Sequence, residues 1–184
     1  MDKKNIEIEK NFELAKQNYK KGSLEKAIKF YEKALKLDPN HFKSTFYLGS
    51  LFYQTKNFNQ AKQLLSRAVE MKPDYTDAYN NLGLVFYKLK EFQKSKNYYQ
   101  KAIELQPNYI NAYINLAVIL KENKEYKKSV DCYEKALKID PRRKEACLGY
   151  SKVLFILNQH NKALKYIQKV YGFIKFTKKN FIIV

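Results

Sequence analysis

The feature of this sequence that most constrains its fold is the spacing of its four prolines, Pro39, Pro73, Pro107 and Pro141. Consecutive prolines are separated by 34 residues, so every proline in the chain falls on one period. Proline has no amide hydrogen and disfavours helical geometry at the residue before it, and it therefore tends to end a helix. A break that recurs at a fixed interval predicts a chain of about five small repeats that share a core.

The repeats are defined by placing each proline at the same position of a 34-residue segment. An N-terminal flank at residues 1–7 is then followed by repeats at 8–41, 42–75, 76–109 and 110–143, a degenerate repeat at 144–172 and a short tail at 173–184. Only five glycines and four prolines are available for loops. We therefore expect residues 8–172 to form one ordered domain.

Within a repeat, apolar residues recur at three- and four-residue spacings in two separate segments. In the third repeat these residues are Tyr79, Leu82 and Phe86, followed by Tyr99, Ala102 and Leu105. The pattern predicts two amphipathic helices in each repeat. The residues that follow the prolines are good helix caps, and we expect side-chain oxygens of Asn40, Asp74 and Asn108 to cap the next helix.

Small and large residues alternate along the chain with the same period. Small residues at Gly49 and Gly83 indicate close approach of helices, and the large residues Leu48, Leu82 and Leu65 fill the space between them. A lone pair of helices could not bury all of these side chains. Neighbouring repeats must therefore cover them, which predicts a solenoid.

These repeated positions resemble the signature of the tetratricopeptide repeat family, W-x2-L-G-x2-Y, A-x3-F, P. The third repeat meets it with Tyr79, Leu82, Gly83, Phe86, Ser95, Tyr99 and Pro107. The first repeat departs from it at Asn11 and Asn18, and the last has Cys147, Tyr150 and Ser151. The resemblance covers about residues 8–172. It implies an all-α fold, an α-solenoid of antiparallel helix pairs stacked into a right-handed superhelix.

The resemblance also implies a concave wall, lined mainly by the first helix of each pair, that binds a peptide or a helical segment. On the family's pattern the wall residues are Phe12, Phe46, Tyr47, Asp77, Asn80, Asn81, Leu84, Asn111, Ile114, Asn115 and Val118. Asn81 and Asn115 occupy the same position one repeat apart, and an amide offers the donor and the acceptor that match a peptide unit. Contact with a peptide backbone and simple exposure to water both remain open for this pair.

A second stripe, formed by Tyr19, Tyr53 and Tyr87, also follows the period. Packing explains this stripe better than contact with a ligand. We therefore do not count these tyrosines among the wall residues.

Nothing in the sequence indicates catalysis, a cofactor or a metal site. The histidines His41 and His160 show no metal-ligand spacing, the five glycines form no phosphate-binding loop, and Cys132 and Cys147 form no CxxC pair. We expect a protein that is not an enzyme and that holds no cofactor or metal. The start of the chain lacks the apolar core of a signal peptide, and no apolar run is long enough to cross a bilayer. These features favour a cytoplasmic protein without membrane insertion.

The tail after Gly172, FIKFTKKNFIIV, alternates apolar and polar residues, whereas Gly172 has the character of a helix stop. The alternation predicts a strand or a hairpin. Such a segment could cap the last helix pair, belong to a further domain or remain disordered.

Three classes of function remain open for this chain. The favoured interpretation is a non-catalytic protein–protein interaction scaffold whose partner is a protein or a peptide. The first alternative is a recruiting module of a larger enzyme of the glycosyltransferase, sulfotransferase or oxygenase type. The second and less favoured alternative, binding of RNA or another polyanion, follows from the net charge of +18 and from residues 144–184, which hold the single acid Glu145. The sequence specifies no oligomeric state.

Overall fold

The computed structural model describes the backbone of residues 2–172, 174–176 and 181–183, and the side chains of residues 2–172. This part of the chain contains ten helices: α1 (Lys3–Lys20), α2 (Leu24–Leu37), α3 (Phe42–Gln54), α4 (Phe58–Met71), α5 (Thr76–Lys88), α6 (Phe92–Leu105), α7 (Ile110–Glu122), α8 (Tyr126–Ile139), α9 (Lys144–Ile156) and α10 (His160–Tyr171). Two short strands follow, β1 (Ile174–Phe176) and β2 (Phe181–Ile183).

The helix boundaries repeat with the period of the sequence. Helices α3, α5, α7 and α9 begin at positions 34 residues apart, Phe42, Thr76, Ile110 and Lys144. A turn of three residues joins the two helices of each pair, and a turn of four residues that contains a proline joins one pair to the next. Because three residues suffice only to reverse the chain, the two helices of a pair run antiparallel.

Helices pack both within pairs and between successive pairs. Contacts join α1 with α2, α3 with α4, α7 with α8 and α9 with α10, and the second helix of a pair also packs on the next first helix, as in α2 with α3, α4 with α5 and α8 with α9. The all-α solenoid of helix pairs predicted from the sequence is therefore confirmed. The chain divides into two compact parts, Met1–Tyr98 and Tyr99–Val184, which we call the N-terminal unit and the C-terminal unit.

The proline turns end the second helices as predicted. Helix α4 ends at Met71, and the next residue, Lys72, has the extended backbone that a following Pro73 requires (φ −137°, ψ 89°). Asp38 and Asp140 have the same extended backbone before Pro39 and Pro141. The period of the prolines is thus also the period at which helices stop.

The capping prediction for Asn40, Asp74 and Asn108 is wrong. The helices after the proline turns begin one residue later, so their N-cap residues are His41, Tyr75 and Tyr109, and no side chain of these residues makes a capping hydrogen bond. The Asn40 side chain instead accepts a hydrogen bond from Arg67 Nη2 at 2.8 Å.

Aspartates that precede the prolines stabilise two of the proline turns. Asp38 Oδ1 accepts a hydrogen bond from the Asn40 amide at 2.9 Å, and Asp140 Oδ1 accepts one from the Arg142 amide at 3.0 Å. An aspartate that bonds the backbone two residues ahead mimics a backbone turn. These side chains therefore stabilise the proline turn and not the first turn of the next helix.

The three-residue turns within the pairs share an unusual backbone. In each of them one residue lies in the left-handed region: Gly22 (φ 75°), Lys56 (φ 64°), Lys90 (φ 62°), Lys124 (φ 62°) and Asn158 (φ 59°). In the second pair, the Lys56 amide donates to the Tyr53 carbonyl at 3.1 Å and the Asn57 amide to the Phe52 carbonyl at 2.8 Å, which is the Schellman arrangement. From the sequence, only the turn at Gly22 could be recognised, because lysine is not a residue type that indicates a turn.

The periodic apolar residues form the cores of the two units. Leu65 and Leu82 are fully buried in the N-terminal unit, and Tyr133 and Leu154 are buried in the C-terminal unit. Gly49 marks the close approach predicted for it, since a Cβ atom there would lie 2.9 Å from Leu65 Cγ.

Buried serines fasten the two helices of a pair at one recurring position. Ser95 Oγ on α6 donates to the Gly83 carbonyl on α5 at 2.6 Å, and Ser129 Oγ on α8 donates to the Ala117 carbonyl on α7 at 2.7 Å. The first, second and last repeats have alanine at this position, at Ala27, Ala61 and Ala163. Only a small side chain fits there, and serine adds a hydrogen bond between the helices.

The C-terminal tail contains the predicted strand pattern. Helix α10 ends at Tyr171, followed by Gly172 in the left-handed region (φ 80°). Strands β1 and β2 then pair antiparallel, with Ile174 opposite Ile183. Residues 173, 177–180 and 184 lie outside the described residues, so a role of the tail as a cap stays a prediction, as do the predicted domain boundaries.

Truncation of a core leucine tests the burial of the repeated positions. Leu82→Ala leaves a cavity at a site with no solvent exposure, and we expect the free energy of unfolding to fall by about 2–5 kcal/mol. Leu84→Ala, in the same helix at a half-buried site, serves as the control and should cost less than half as much. Urea denaturation followed by circular dichroism measures both, and equal losses would contradict the assigned faces of α5.

The left-handed lysines give a second prediction. Lys90→Gly should raise the free energy of unfolding by about 0.5–1 kcal/mol, because the strain of a left-handed L-residue, about 1–2 kcal/mol, exceeds the entropic cost of glycine, about 0.5–1 kcal/mol. The control Lys152→Gly lies on the exposed side of α9 and should lower it by about 1 kcal/mol. A Lys90→Gly protein with a lower urea midpoint than the wild type would refute the assigned strain.

Candidate functional site

A small cleft opens on the first-helix face of the N-terminal unit. It has a volume of about 220 Å³, and its lining consists of residues from α1, α2, α3 and α5: Tyr19, Tyr31, Phe46, Tyr47, Ser50, Leu51, Gln54 and Asn81. We call it the tyrosine cleft. Pockets for drug-sized molecules measure about 300–1,000 Å³. The tyrosine cleft is therefore suited to one side chain of a partner.

Aromatic rings in mutual contact form one wall of the tyrosine cleft. The rings of Tyr31 and Tyr47 are stacked at 6.3 Å with an interplanar angle of 10°, and the ring of Phe46 meets Tyr47 edge to face at 5.3 Å. Phe12 packs against the Tyr47 ring from α1 at 5.7 Å. Tyr47 is nevertheless 41% exposed, so it presents a ring of fixed orientation to solvent.

The Tyr31 hydroxyl lies in an environment that keeps it protonated. Burial is the main cause that raises the pKa of this phenol, and the nearby Tyr47, Tyr19 and Glu13 raise it further. The group is therefore a neutral hydroxyl at physiological pH, able to donate and to accept a hydrogen bond.

A chain of hydrogen bonds forms the polar side of the cleft. Asn81 Nδ2 donates to Ser50 Oγ at 2.9 Å, and Ser50 Oγ donates to the Phe46 carbonyl at 2.9 Å. Asn80 Nδ2 donates to Asn81 Oδ1 at 3.3 Å. The Asn81 amide is thus held between α3 and α5, and it retains one N–H and one lone pair for a ligand.

The structure buries one repeat position that the sequence assigned to the wall. The exposed fractions at this position are small: 3% for Phe12, 6% for Phe46, 4% for Asn80 and 9% for Ile114. These side chains leave little surface for a ligand. Phe46 still lines the tyrosine cleft, together with Tyr47 and Asn81.

The other predicted wall residues lie outside the cleft. Asp77 and Leu84 are half-buried in the N-terminal unit, and Asn115 and Val118 are half-buried in the C-terminal unit. Asn111 is exposed, and its Oδ1 accepts a hydrogen bond from Arg143 Nη2 at 3.1 Å. A ligand-binding role for these residues stays a prediction.

Sequence reasoning missed five of the residues that line the cleft: Tyr19, Tyr31, Ser50, Leu51 and Gln54. A signal was available for Ser50, because it occupies the repeat position of the predicted wall residues Leu84 and Val118. For Tyr31 no signal was available, since its periodic position indicated only the core.

Tyr19 faces the cleft because its repeat lacks an aromatic neighbour. Tyr53 packs on Phe58 at 6.0 Å, and Tyr87 packs on Phe92 at 5.8 Å, so packing does account for these two members of the stripe. In the first repeat the position of Phe58 and Phe92 is occupied by Leu24. Tyr19 stays 45% exposed and lines the cleft instead.

A second polar cluster lies in the C-terminal unit and joins its last three helices. The Tyr150 hydroxyl on α9 donates to Glu134 Oε1 on α8, and Lys162 Nζ on α10 contacts the same oxygen at 3.1 Å. Burial raises the pKa of Tyr150 to about 12, and the hydrogen bond from Tyr150 lowers the pKa of Glu134. At neutral pH the phenol is therefore protonated and the carboxylate ionised, which holds the three helices together.

The described residues contain no cluster of three or more His, Cys, Asp or Glu side chains that could share a metal ion. Among the helices of residues 3–171, none has the length and the apolar content required to cross a membrane.

Comparisons with known proteins agree with this architecture. Two family models described as tetratricopeptide repeat match the chain, one over residues 76–109 and 110–143 and the other over residues 18–83. A search of the curated proteins returned no significant match.

Solved structures provide a further comparison. MamA is 28% identical, with 85% of this chain and 91% of that chain covered and a TM-score of 0.76. YrrB, described as a TPR protein with an unusual peptide-binding site, is 22% identical over 91% of this chain and 90% of its own, with a TM-score of 0.69. Pseudomonas aeruginosa pilF is 18% identical over 95% and 80%, with a TM-score of 0.82. The last two likenesses show a shared fold.

The buried phenols predict a loss of stability at high pH. The pKa of Tyr150 rises from its ordinary value of 10.0 to about 12, as does that of Tyr133. The unfolded chain therefore releases these protons first, and the stability present below pH 10 is lost as the pH rises towards 12. Urea midpoints measured between pH 8 and pH 11 should fall steeply.

Tyr150→Phe provides the matched comparison for this pH dependence. It should be less stable than the wild type at pH 8 by about 1 kcal/mol, because it lacks the hydrogen bond to Glu134. Its stability should then decline less steeply above pH 10, since one perturbed phenol is missing. Parallel declines of the two proteins would show that Tyr150 does not contribute to the alkaline loss.

Proposed function

Because the chain belongs to the tetratricopeptide repeat family, we propose that it is a non-catalytic scaffold that binds a peptide or a helical segment of a partner protein. Proteins built from stacked helix pairs offer the faces of their first helices as continuous binding surfaces. The tyrosine cleft is the observation that carries the proposal, since it lies on such a face, between α1, α3 and α5.

The chemistry of the tyrosine cleft suits an anchor residue of a peptide. Binding hot spots are enriched in aromatic side chains that are held in place before the partner arrives. Tyr47 meets this description, because three ring contacts fix it and 41% of its surface stays exposed. The adjacent Asn81 amide can bond a peptide group beside the anchor. The peptide-binding site in YrrB, a protein of the same fold, supports a peptide ligand here.

The net charge of the chain affects how fast a charged partner associates with it. The net charge of +18 favours association with acidic segments, because long-range attraction raises the rate of encounter. The proposal includes a cytoplasmic location and a right-handed superhelix, both of which rest on the sequence and on the family.

Two contacts in the C-terminal unit weaken the polyanion alternative. Lys162 is engaged with Glu134, and Lys169 lies 4.7 Å from the centre of the Tyr166 ring. Lysines that are occupied by neighbours in this way have less freedom to follow a phosphate backbone.

Selection from a random peptide library against the full chain tests the scaffold proposal. Enriched peptides should bind the wild type, and Tyr47→Ala should weaken their binding about tenfold or more, because it removes an exposed ring of the anchor site. Dissociation constants from fluorescence anisotropy measure the effect, and circular dichroism verifies that the variant is folded.

Tyr171→Ala is the matched control for that selection. It removes a tyrosine of similar exposure, 39%, that does not line the tyrosine cleft. Its peptide affinities should equal those of the wild type. A selection without enriched peptides, or one whose peptides bind both variants equally well, would refute the proposed binding face.

A further inference from the structure

The Tyr31 hydroxyl reaches the surface of the tyrosine cleft and has no protein partner there. Tyr31 is 2% exposed and lines the cleft, yet its hydroxyl makes no hydrogen bond within the residues that the structure describes. Water in the open cleft can bond this hydroxyl in the free protein, and a ligand that displaces the water loses that bond unless it supplies a polar group of its own. The core does not require this oxygen, because the second repeat has the fully buried Leu65 at the same position. The unpaired hydroxyl therefore indicates a ligand with a matching polar group.

The charge around this hydroxyl restricts the ligand to a neutral group. The charged side chain that acts on Tyr31 is the Glu13 carboxylate, which lies on α1 and pairs with Lys16 at 2.8 Å. Lys16 offsets the charge of Glu13, so the pair offers no free countercharge to a carboxylate or phosphate, which would also lose its water in an aromatic environment. The high net positive charge of the chain disfavours a cationic ligand as well.

The size of the cleft restricts the ligand further. An apolar cavity of about 150 Å³ is large enough for benzene, and the tyrosine cleft, at about 220 Å³, has room for one substituted ring. A leucine or phenylalanine side chain would fit, but it would leave the Tyr31 hydroxyl unpaired. A phenol fills the space and also supplies the missing hydrogen bond.

We propose that the tyrosine cleft selects a tyrosine side chain of the partner, with its ring against Tyr47 and Tyr19 and its hydroxyl bonded to that of Tyr31. This inference rests on the proposed function, because it names the residue that anchors the bound segment. It also implies that the phosphorylated form of the same tyrosine is rejected, since a dianionic group would lose its water in the cleft without a free countercharge.

Small probes test the inference without knowledge of the partner. The full chain is titrated with p-cresol, with toluene and with p-cresyl phosphate, and binding is followed through amide chemical shifts. The wild type should bind p-cresol about tenfold more tightly than toluene, although toluene is the more apolar probe. It should show no saturable binding of p-cresyl phosphate.

Two variants that remove a single oxygen show whether Tyr31 is responsible. Tyr31→Phe keeps the ring and should abolish the preference for p-cresol over toluene. Tyr133→Phe makes the same change at the same repeat position in the C-terminal unit, outside the cleft, and should retain the preference. Circular dichroism and urea midpoints verify that both variants are folded.

Several results would overturn the inference: equal affinities of p-cresol and toluene for the wild type, no binding of p-cresol, or a preference that survives in Tyr31→Phe. Selected peptides without tyrosine that nevertheless depend on Tyr47 would also overturn it, while leaving the scaffold proposal intact. Conversely, the wild type could prefer p-cresol while the peptide selection yields no enriched peptides. That result would count against the scaffold proposal and not against the preference of the cleft for a phenol.

Discussion

Burial of apolar helix faces between successive pairs is the interaction on which the rest of the structure depends. In the N-terminal unit, Leu65 on α4 and Leu82 on α5 are both fully buried, and α4 packs on α5 across a proline turn. A single pair has no partner for such residues, so its stability comes largely from the pairs beside it. Because the core uses the inward sides of the helices, the opposite sides of α1, α3 and α5 are left to form a wall. The tyrosine cleft is a local feature of that wall.

The contrast between the first repeat and the next two explains where the cleft lies. A phenylalanine at the start of α4 and of α6 covers the tyrosine of the preceding helix, whereas Leu24 leaves Tyr19 uncovered. The contacts among Tyr31, Tyr47 and Phe46 then supply a rigid second side. A departure from the repeated pattern of this kind creates a local surface feature, because the repeated apolar positions are committed to packing.

Much of the fold could be predicted from the sequence, because helix length, period and burial depend on patterns that extend over the whole chain. The residues that stabilise the turns could not be predicted in this way. Asn40 is a residue type that often caps helices, but it lies one residue before the N-cap position. Lys56, Lys90 and Lys124 adopt left-handed geometry, for which glycine is the usual sequence signal. Of the cleft, Tyr47 and Asn81 could be placed on the correct face from their repeat positions. The unpaired hydroxyl of Tyr31 could not be foreseen, because hydrogen bonding depends on three-dimensional neighbours that a periodic pattern does not reveal.

The uniform length of the turns has a consequence for how such a protein can change. Every junction between pairs uses four residues and every junction within a pair uses three, so a gene duplication of one whole 34-residue segment would insert a pair without altering any joint. A copy of residues 8–41 would carry Tyr19, Leu24 and Tyr31 with it. It would therefore place a second set of these three residues beside a new neighbour. Duplication of a segment can therefore add a further binding surface of this kind while the backbone geometry of the repeat stays the same.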